Sequence, residues 1–290
     1  MKVTTLCGAL IALFSTVANG NEWQPVKGSI LYGISGMALV SQTPDERRLL
    51  IVHDNKKRGE PRFALISQRS QEPVQYTPLS WEWDDDQVDM ESLSRVPEET
   101  STFVGMSSRG VAFYIRLNEA EKRVETISKF KVPETSDQSN FEGLCVQRID
   151  KKLILIWGHR GQDEMAGALF WGELDLQKGK VGRSKWEKLK MPWPGKGIRH
   201  ISDLKVDETG SLIIASASDQ GDDGPFDSAV YLAGVFSAKD GDVTLKLSPA
   251  PTRLHSFRGH KIEGMELLPN GGLVFGTDDE NYGGWVYAVR

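Results

Sequence analysis

Five short segments repeat one pattern: an apolar residue, a hydroxyl or carboxylate, a small residue or Asp, and a second apolar residue. They are Ile34-Ser35-Gly36-Met37, Met90-Glu91-Ser92-Leu93, Phe141-Glu142-Gly143-Leu144, Ile201-Ser202-Asp203-Leu204 and Ile262-Glu263-Gly264-Met265. Their second positions, Ser35, Glu91, Glu142, Ser202 and Glu263, follow one another at steps of 56, 51, 60 and 61 residues. If equivalent strands bring these side chains around one axis, three carboxylates and two hydroxyls converge. Carboxylates that close repel one another, and at least one holds a proton unless a cation compensates. Carboxylate and hydroxyl oxygens are ligands that Ca²⁺ accepts, and the lack of His and Cys in the set argues against zinc or copper. Two plainer readings stand beside this one: a water-filled polar channel without a fixed metal, and a wrong alignment.

The steps suit a four-stranded blade with its loops. In such a repeat the loop between second and third strands emerges on the same face as the start of the first strand. Those loops carry His53-Asp54-Asn55-Lys56-Lys57, Ser107-Ser108-Arg109, His159-Arg160, Asp219 to Gly224 and Asp278-Asp279-Glu280-Asn281. They would rim the ring, with Lys56, Arg109 and Arg160 able to hold an anion and His53 or His159 able to move a proton. His200 and His260, just ahead of their motifs, are expected on that face too. Asp219 to Gly224 lacks the spacing of an EF-hand. Cys145, three residues past Glu142, reads as a buried small hydrophobe, and no nucleophile elbow or phosphate-binding glycine loop is present.

Dense apolar runs mark second strands at Arg48 to His53, Thr102 to Met106, Leu153 to Gly158, Leu212 to Ala217 and Leu273 to Gly276. Turn residues at Asp207-Glu208-Thr209-Gly210 and Pro269-Asn270-Gly271-Gly272 join first to second strands. Third strands are expected at Phe63 to Ser67, Val111 to Leu117, Ala168 to Leu174, Ala229 to Ser237 and Trp285 to Val289. Weaker outer strands follow near Val74 to Leu79, Arg123 to Phe130, Trp186 to Met191 and Val243 to Leu247. The fifth unit ends after its third strand, whereas Trp23 to Tyr32 supplies an orphan strand at the other end. Pairing the two ends leaves no long exposed edge. The expectation is an all-β, five-bladed β-propeller closed by the N-terminal strand, in one domain over residues 21–290. Six blades, with extra strands from Val243 to Arg258, are the alternative.

Met1-Lys2, the apolar run Leu6 to Val17 and Ala18-Asn19-Gly20 have the layout of a cleaved secretory signal over residues 1–20. The run is too short to span a bilayer, and Leu6 before Cys7 disfavours a lipoprotein. An exported chain, periplasmic or secreted, then holds Cys145 as its sole cysteine and must be stabilised by burial. A net charge of −5 leaves no global footprint for nucleic acid or an anionic membrane. A monomer is expected.

The Ser/Glu/Glu/Ser/Glu order, with Glu263 inside Ile262-Glu263-Gly264-Met265-Glu266, resembles the central calcium site of the calcium-activated apyrases, five-bladed nucleotide hydrolases. Phe141-Glu142-Gly143-Leu144 is similar to the motif of bacterial phytase-like exported propellers. The resemblance covers five short segments and the blade rhythm. It implies Ca²⁺ coordination by Ser35, Glu91, Glu142, Ser202 and Glu263, and no loop of the chain matches a nucleotide-contacting loop. Two functions are therefore expected as alternatives: a Ca²⁺-dependent hydrolase of phosphate esters or anhydrides, or a non-catalytic propeller that binds a ligand or protein around a structural Ca²⁺. A lactonase-like metal hydrolase is a third, against which the ring's lack of Asn argues.

Overall fold

The computed structural model describes residues 22–70, 72–82 and 88–289. The expected signal segment, with Cys7, and residues 83–87 lie outside the described residues. β1 (Gln24–Lys27) comes first, followed by a 3₁₀ turn at Ile30–Tyr32. Four strands then pair in sequence order: β2 (Gly36–Gln42), β3 (Glu46–Val52), β4 (Phe63–Arg69) and β5 (Gln75–Trp81). The same order recurs in β6 (Met90–Arg95), β7 (Thr102–Ser107), β8 (Val111–Asn118) and β9 (Arg123–Lys131). In the third group, β10 (Phe141–Ile149) pairs with β11 (Lys152–His159) and that with β12 (Gly167–Asp175). The short β13 (Lys180–Val181) and the outer β14 (Lys185–Leu189) both pair with β12. β15 (Ile198–Val206), β16 (Ser211–Ser218), β17 (Asp227–Lys239) and β18 (Asp242–Arg258) form the fourth group. In the last, β19 (Ile262–Leu267), β20 (Leu273–Thr277) and β21 (Gly284–Val289) are completed by β1, antiparallel to β21.

Two details differ from the sequence reading. Only Gln24–Lys27 of the Trp23 to Tyr32 stretch is strand, because Ser29 takes a positive φ of 111° and caps the following turn. Val243 to Arg258 is one long strand on β17, so it supplies no extra sheet. The first two groups merge into one eight-stranded sheet through two parallel pairs, Ser80 with Arg123 and Trp81 with Val124. Each outer strand thereby covers part of the other's open edge.

The second strands explain the architecture. Leu49-Leu50-Ile51-Val52 is buried on both faces, which a central strand between two packed layers requires. Among the described residues the apolar core falls into five clusters. They lie between the first and second groups, the second and third, the third and fourth, the fourth and fifth, and the fifth and first. The first strands follow the same order, β2 against β6, β6 against β10, β10 against β15, β15 against β19 and β19 against β2.

The motif glycines allow that approach. A Cβ on Gly36 would stand 2.7 Å from Ser92 Cα and 2.8 Å from Leu93 N, backbone that cannot swing away. Gly36→Ala is expected to cost about 1–3 kcal/mol by overpacking, measured by denaturant unfolding. A loss below half of that would show the β2–β6 seam to be loose.

Polar side chains lace the same strands together beyond the motifs. Lys205 Nζ donates to Leu93 O at 3.0 Å and Leu144 O at 3.3 Å, and pairs with Asp203 at 3.4 Å. Asp203 accepts from Met265 N at 2.7 Å, Glu266 from Leu39 N at 3.1 Å and Ser94 from Val146 N at 2.8 Å. The last three each link one first strand to the next, and Lys205 reaches past β10 to β6.

Candidate functional site

Backbone irregularity aims the motif residues. Strand register shifts between Met90 and Ser92, between Phe141 and Gly143, and between Ile262 and Gly264, so Glu91, Glu142 and Glu263 each sit at a bulge. Ser202 lies within a wider shift, between Arg199 and Asp203. Ser35 immediately precedes β2 and is tied through its N–H to Val52 O at 3.0 Å. A bulge re-aims a side chain and ends local pairing. Four of the five ring positions use this device, and the fifth is a strand entry.

A polar pocket of about 500 Å³ opens at these positions, lined by Glu91, Glu142 and Glu263 together with Asp54, Asp89, Asp278, Glu280 and the cations Lys56, Arg109, Arg160, Arg199 and Lys261. Ser35 and Ser202 are not among its lining residues; both are fully buried. Their hydroxyls and Glu142 Oε2 are buried without a hydrogen-bond partner. Such orphaned oxygens are uncommon, and each calls for an explanation.

Arg199 and Lys261 were not assigned a role from sequence, although they stand three residues before Ser202 and two before Glu263. Arg199 pairs with Glu142 Oε1 at 3.2 Å, with Glu263 Oε1, and through Nη2 with Asp219 at 3.0 Å. Lys261 pairs with Glu263 at 3.2 Å, with Asp278 at 3.5 Å and with Glu280. The signal available was a cation just ahead of the motif in two successive units.

The rim cations line the pocket in different states. Arg160 pairs with Glu142 at 3.1 Å and lies 3.8 Å from Asp219. Arg109 donates to Asp137 O at 2.6 Å and Ser139 O at 3.0 Å. Lys56 is exposed at the mouth, 3.4 Å from Asp89, whose other tie is Ser108 Oγ at 2.6 Å.

The electrostatics are uneven. Burial, then the charges of Asp54, Glu142, Asp89 and Glu263, push the Glu91 carboxyl well above its ordinary range. Burial also raises Asp54, assisted by Glu263 and opposed by Lys56 and Lys261. Burial raises Asp278 strongly against the pull of Lys261. For Glu142, burial outweighs Arg199 and the group is raised. Asp219 is also pushed up by burial, but Arg199 and the other cations override this and leave it lowered. Glu91 and Asp54 are thus raised by burial and neighbouring carboxylates, whereas the guanidinium groups beside Asp219 hold it lowered.

Neither predicted histidine lines the pocket. His53 is buried, with Nδ1 on Gly33 O and Nε2 3.1 Å from the Tyr76 hydroxyl. His159 Nε2 faces Gln138 O at 3.4 Å, its Nδ1 accepts from Gly161 N at 3.2 Å, and burial lowers its pKa. His200 is held between Met191 N and Asp163 O, and His260 pairs with Asp279 at 2.6 Å and stacks on Trp23.

Burial lowers the His53 imidazole from 6.5 to about 4. A folded-state pKa below the unfolded value contributes stability that is present above the unfolded value and lost as pH falls through the folded one. Between pH 6.5 and 4, His53 should therefore account for about 3 kcal/mol of lost stability. His53→Phe is expected to flatten that part of the profile, measured by urea unfolding at pH 7 and 4.5. An unchanged slope would contradict the assignment.

The donor chemistry fits a hard cation in one respect: the ring offers oxygen only, and three of its oxygens lack partners. Carboxylates alone do not suffice. Among the described residues no three His, Cys, Asp or Glu side chains gather closely enough to hold a metal ion, so the serine hydroxyls would have to take part.

No known family's sequence profile matches the chain, and no curated protein is similar to it in sequence. In structure it is similar to the GH43 endo-arabinanase of Bacillus licheniformis, at 12% identity and a TM-score of 0.53 over 92% of this chain and 97% of that one. A GH43 β-1,3-galactosidase in complex with galactodeoxynojirimycin matches at 9% identity and TM-score 0.49, over 89% and 90% of the two chains. The soluble aldose sugar dehydrogenase of Escherichia coli matches at 13% identity and TM-score 0.47, over 92% and 99%. The first likeness supports a β-propeller fold and, at that identity, nothing about activity. No helix among the described residues is long and apolar enough to cross a membrane.

Proposed function

We propose that the chain is an exported, five-bladed propeller whose axial pocket hydrolyses a small phosphorylated substrate with the help of Ca²⁺. The five strand groups, the five intervening clusters and the pairing of β1 with β21 support the blade count and the closure. The observation that carries the functional reading is the stacking of two features. Partnerless oxygens occur on Ser35, Ser202 and Glu142, at equivalent motif positions, and Glu142 lines a pocket that also holds five cations, Lys56, Arg109, Arg160, Arg199 and Lys261. Oxygens without donors suit a cation; cations around a cleft suit an anion.

The hydroxyls of Ser35 and Ser202, with Glu142 and no more than one further motif carboxylate, would hold the ion, whose charge would supply polarisation of a phosphoryl oxygen. Arg199 holds Glu142 and Glu263 in place and keeps one oxygen of each engaged on the pocket side. Lys56, with its side chain 60% exposed, can bind and orient the phosphate. Asp54 takes the place expected for a histidine. Its carboxyl, raised by burial, lines the pocket and can accept a proton from water.

The test is turnover against a panel of phosphate esters and anhydrides, with arabinan oligosaccharides included, with and without Ca²⁺ and after Glu142→Ala. Ca²⁺-dependent phosphate release that the substitution abolishes is the expected result. Glycan cleavage without Ca²⁺ would replace the proposal. No turnover at all would favour the binding reading, which has its own support: the guanidinium groups of Arg109, Arg160 and Arg199 are already engaged within the protein.

A further inference from the structure

The net charge conceals a segment of opposite sign. Residues 178–196 hold seven cations and one acid, in a chain of net charge −5. This run forms β13, β14 and their flanks. β14 pairs only with β12 and is the outer strand of its group.

Three of the cations are neutralised locally: Lys178 by Asp175 at 2.7 Å, Lys185 by Asp242, and Lys190 by Glu164 at 2.9 Å. Lys180, Arg183, Lys188 and Lys196 are exposed and have no carboxylate partner among the described residues. In their midst Trp186 is 53% exposed, and Lys188 Nζ lies 5.8 Å from its ring centre. Met165 is 59% exposed and adjoins this edge, since Glu164 pairs with Lys190 and Gly167 lies opposite Leu189.

We propose that this outer edge docks the protein on an anionic lipid surface. Unpaired cations gain from the negative potential of acidic headgroups, and an indole flanked by ammonium groups suits the headgroup layer, one face apolar and one end wet. The exposed Trp186 and Met165 favour lipid over a soluble polyanion, because they give apolar contact that a hydrated polymer does not need. The proposal is independent of the axial pocket, whose lining shares no residue with this edge.

The probe is co-sedimentation of the mature protein with vesicles of phosphatidylcholine alone or mixed with phosphatidylglycerol, at low and high salt. Binding is expected only with phosphatidylglycerol, with loss at high salt. Arg183→Glu/Lys188→Glu should weaken it at least about tenfold, and Trp186→Ser should weaken it while leaving the salt dependence in place. These positions are exposed, and each variant should melt within a few degrees of the parent; the single Lys188→Glu variant serves if the double one does not. Equal binding to both vesicles, insensitivity to the charge reversals, or binding to heparin with none to vesicles would each overturn the proposal.

Discussion

Lys205→Met is expected to remove about 3–5 kcal/mol of stability, the usual cost of taking one partner from a buried ion pair. The ammonium is buried and holds Leu93 O, Leu144 O and Asp203 together. Met preserves the stem's volume, so the loss reports the polar contacts. The effect has a pH signature. Burial pushes the Asp203 carboxyl up to about 7, with Lys205 beside it pulling the other way. Without the ammonium, Asp203 keeps its proton in the folded state to still higher pH, while the unfolded chain has released it. Stability of the variant then falls as pH rises, and the deficit widens above pH 7 by up to about 1.4 kcal/mol per unit. Asp203→Asn/Lys205→Met should recover part of the loss. Urea unfolding of the three proteins at pH 6 and 8 checks this; a loss under 1 kcal/mol that does not vary with pH would contradict it.

The second large effect belongs to Arg199. Its side chain is only 12% exposed and serves Glu142, Glu263 and Asp219 together. Arg199→Met should cost about 3 kcal/mol at pH 8 in chelator. The deficit should shrink as pH falls, because Glu142, raised already, rises further and is neutralised more readily in the folded state. Arg199→Lys should rescue little, since one ammonium cannot span three carboxylates as a planar fork does. Unfolding curves at pH 5 and 8 decide, and a variant as stable as its parent at pH 8 would show the guanidinium to be dispensable.

The strand order was legible because each kind of strand has its own pattern. Leu49-Leu50-Ile51-Val52 could be nothing but a central strand, and Pro269 to Gly272 nothing but a turn. Ends were less legible: Ser29 breaks the N-terminal strand by a backbone conformation that no hydrophobic pattern announces. At the site, the repeating second position led to Glu91, Glu142 and Glu263, whose bulges point them at the pocket. The same logic misjudged His53. A loop histidine reads as solvent-facing, but Gly33 O and Tyr76 draw this one inward, and both partners are distant in sequence. Arg199 and Lys261 were missed for a related reason, since their carboxylate partners meet them only when neighbouring units pack.

The axial site is tested most directly by melting the mature protein after chelation, then with Ca²⁺, Mg²⁺ or Mn²⁺ restored, beside Glu263→Ala. A ligand that binds only the folded state must raise the melting temperature. A Ca²⁺-specific rise that Glu263→Ala lacks is the predicted result. No rise with any ion would contradict the proposal and leave the orphaned oxygens of Ser35, Ser202 and Glu142 to water.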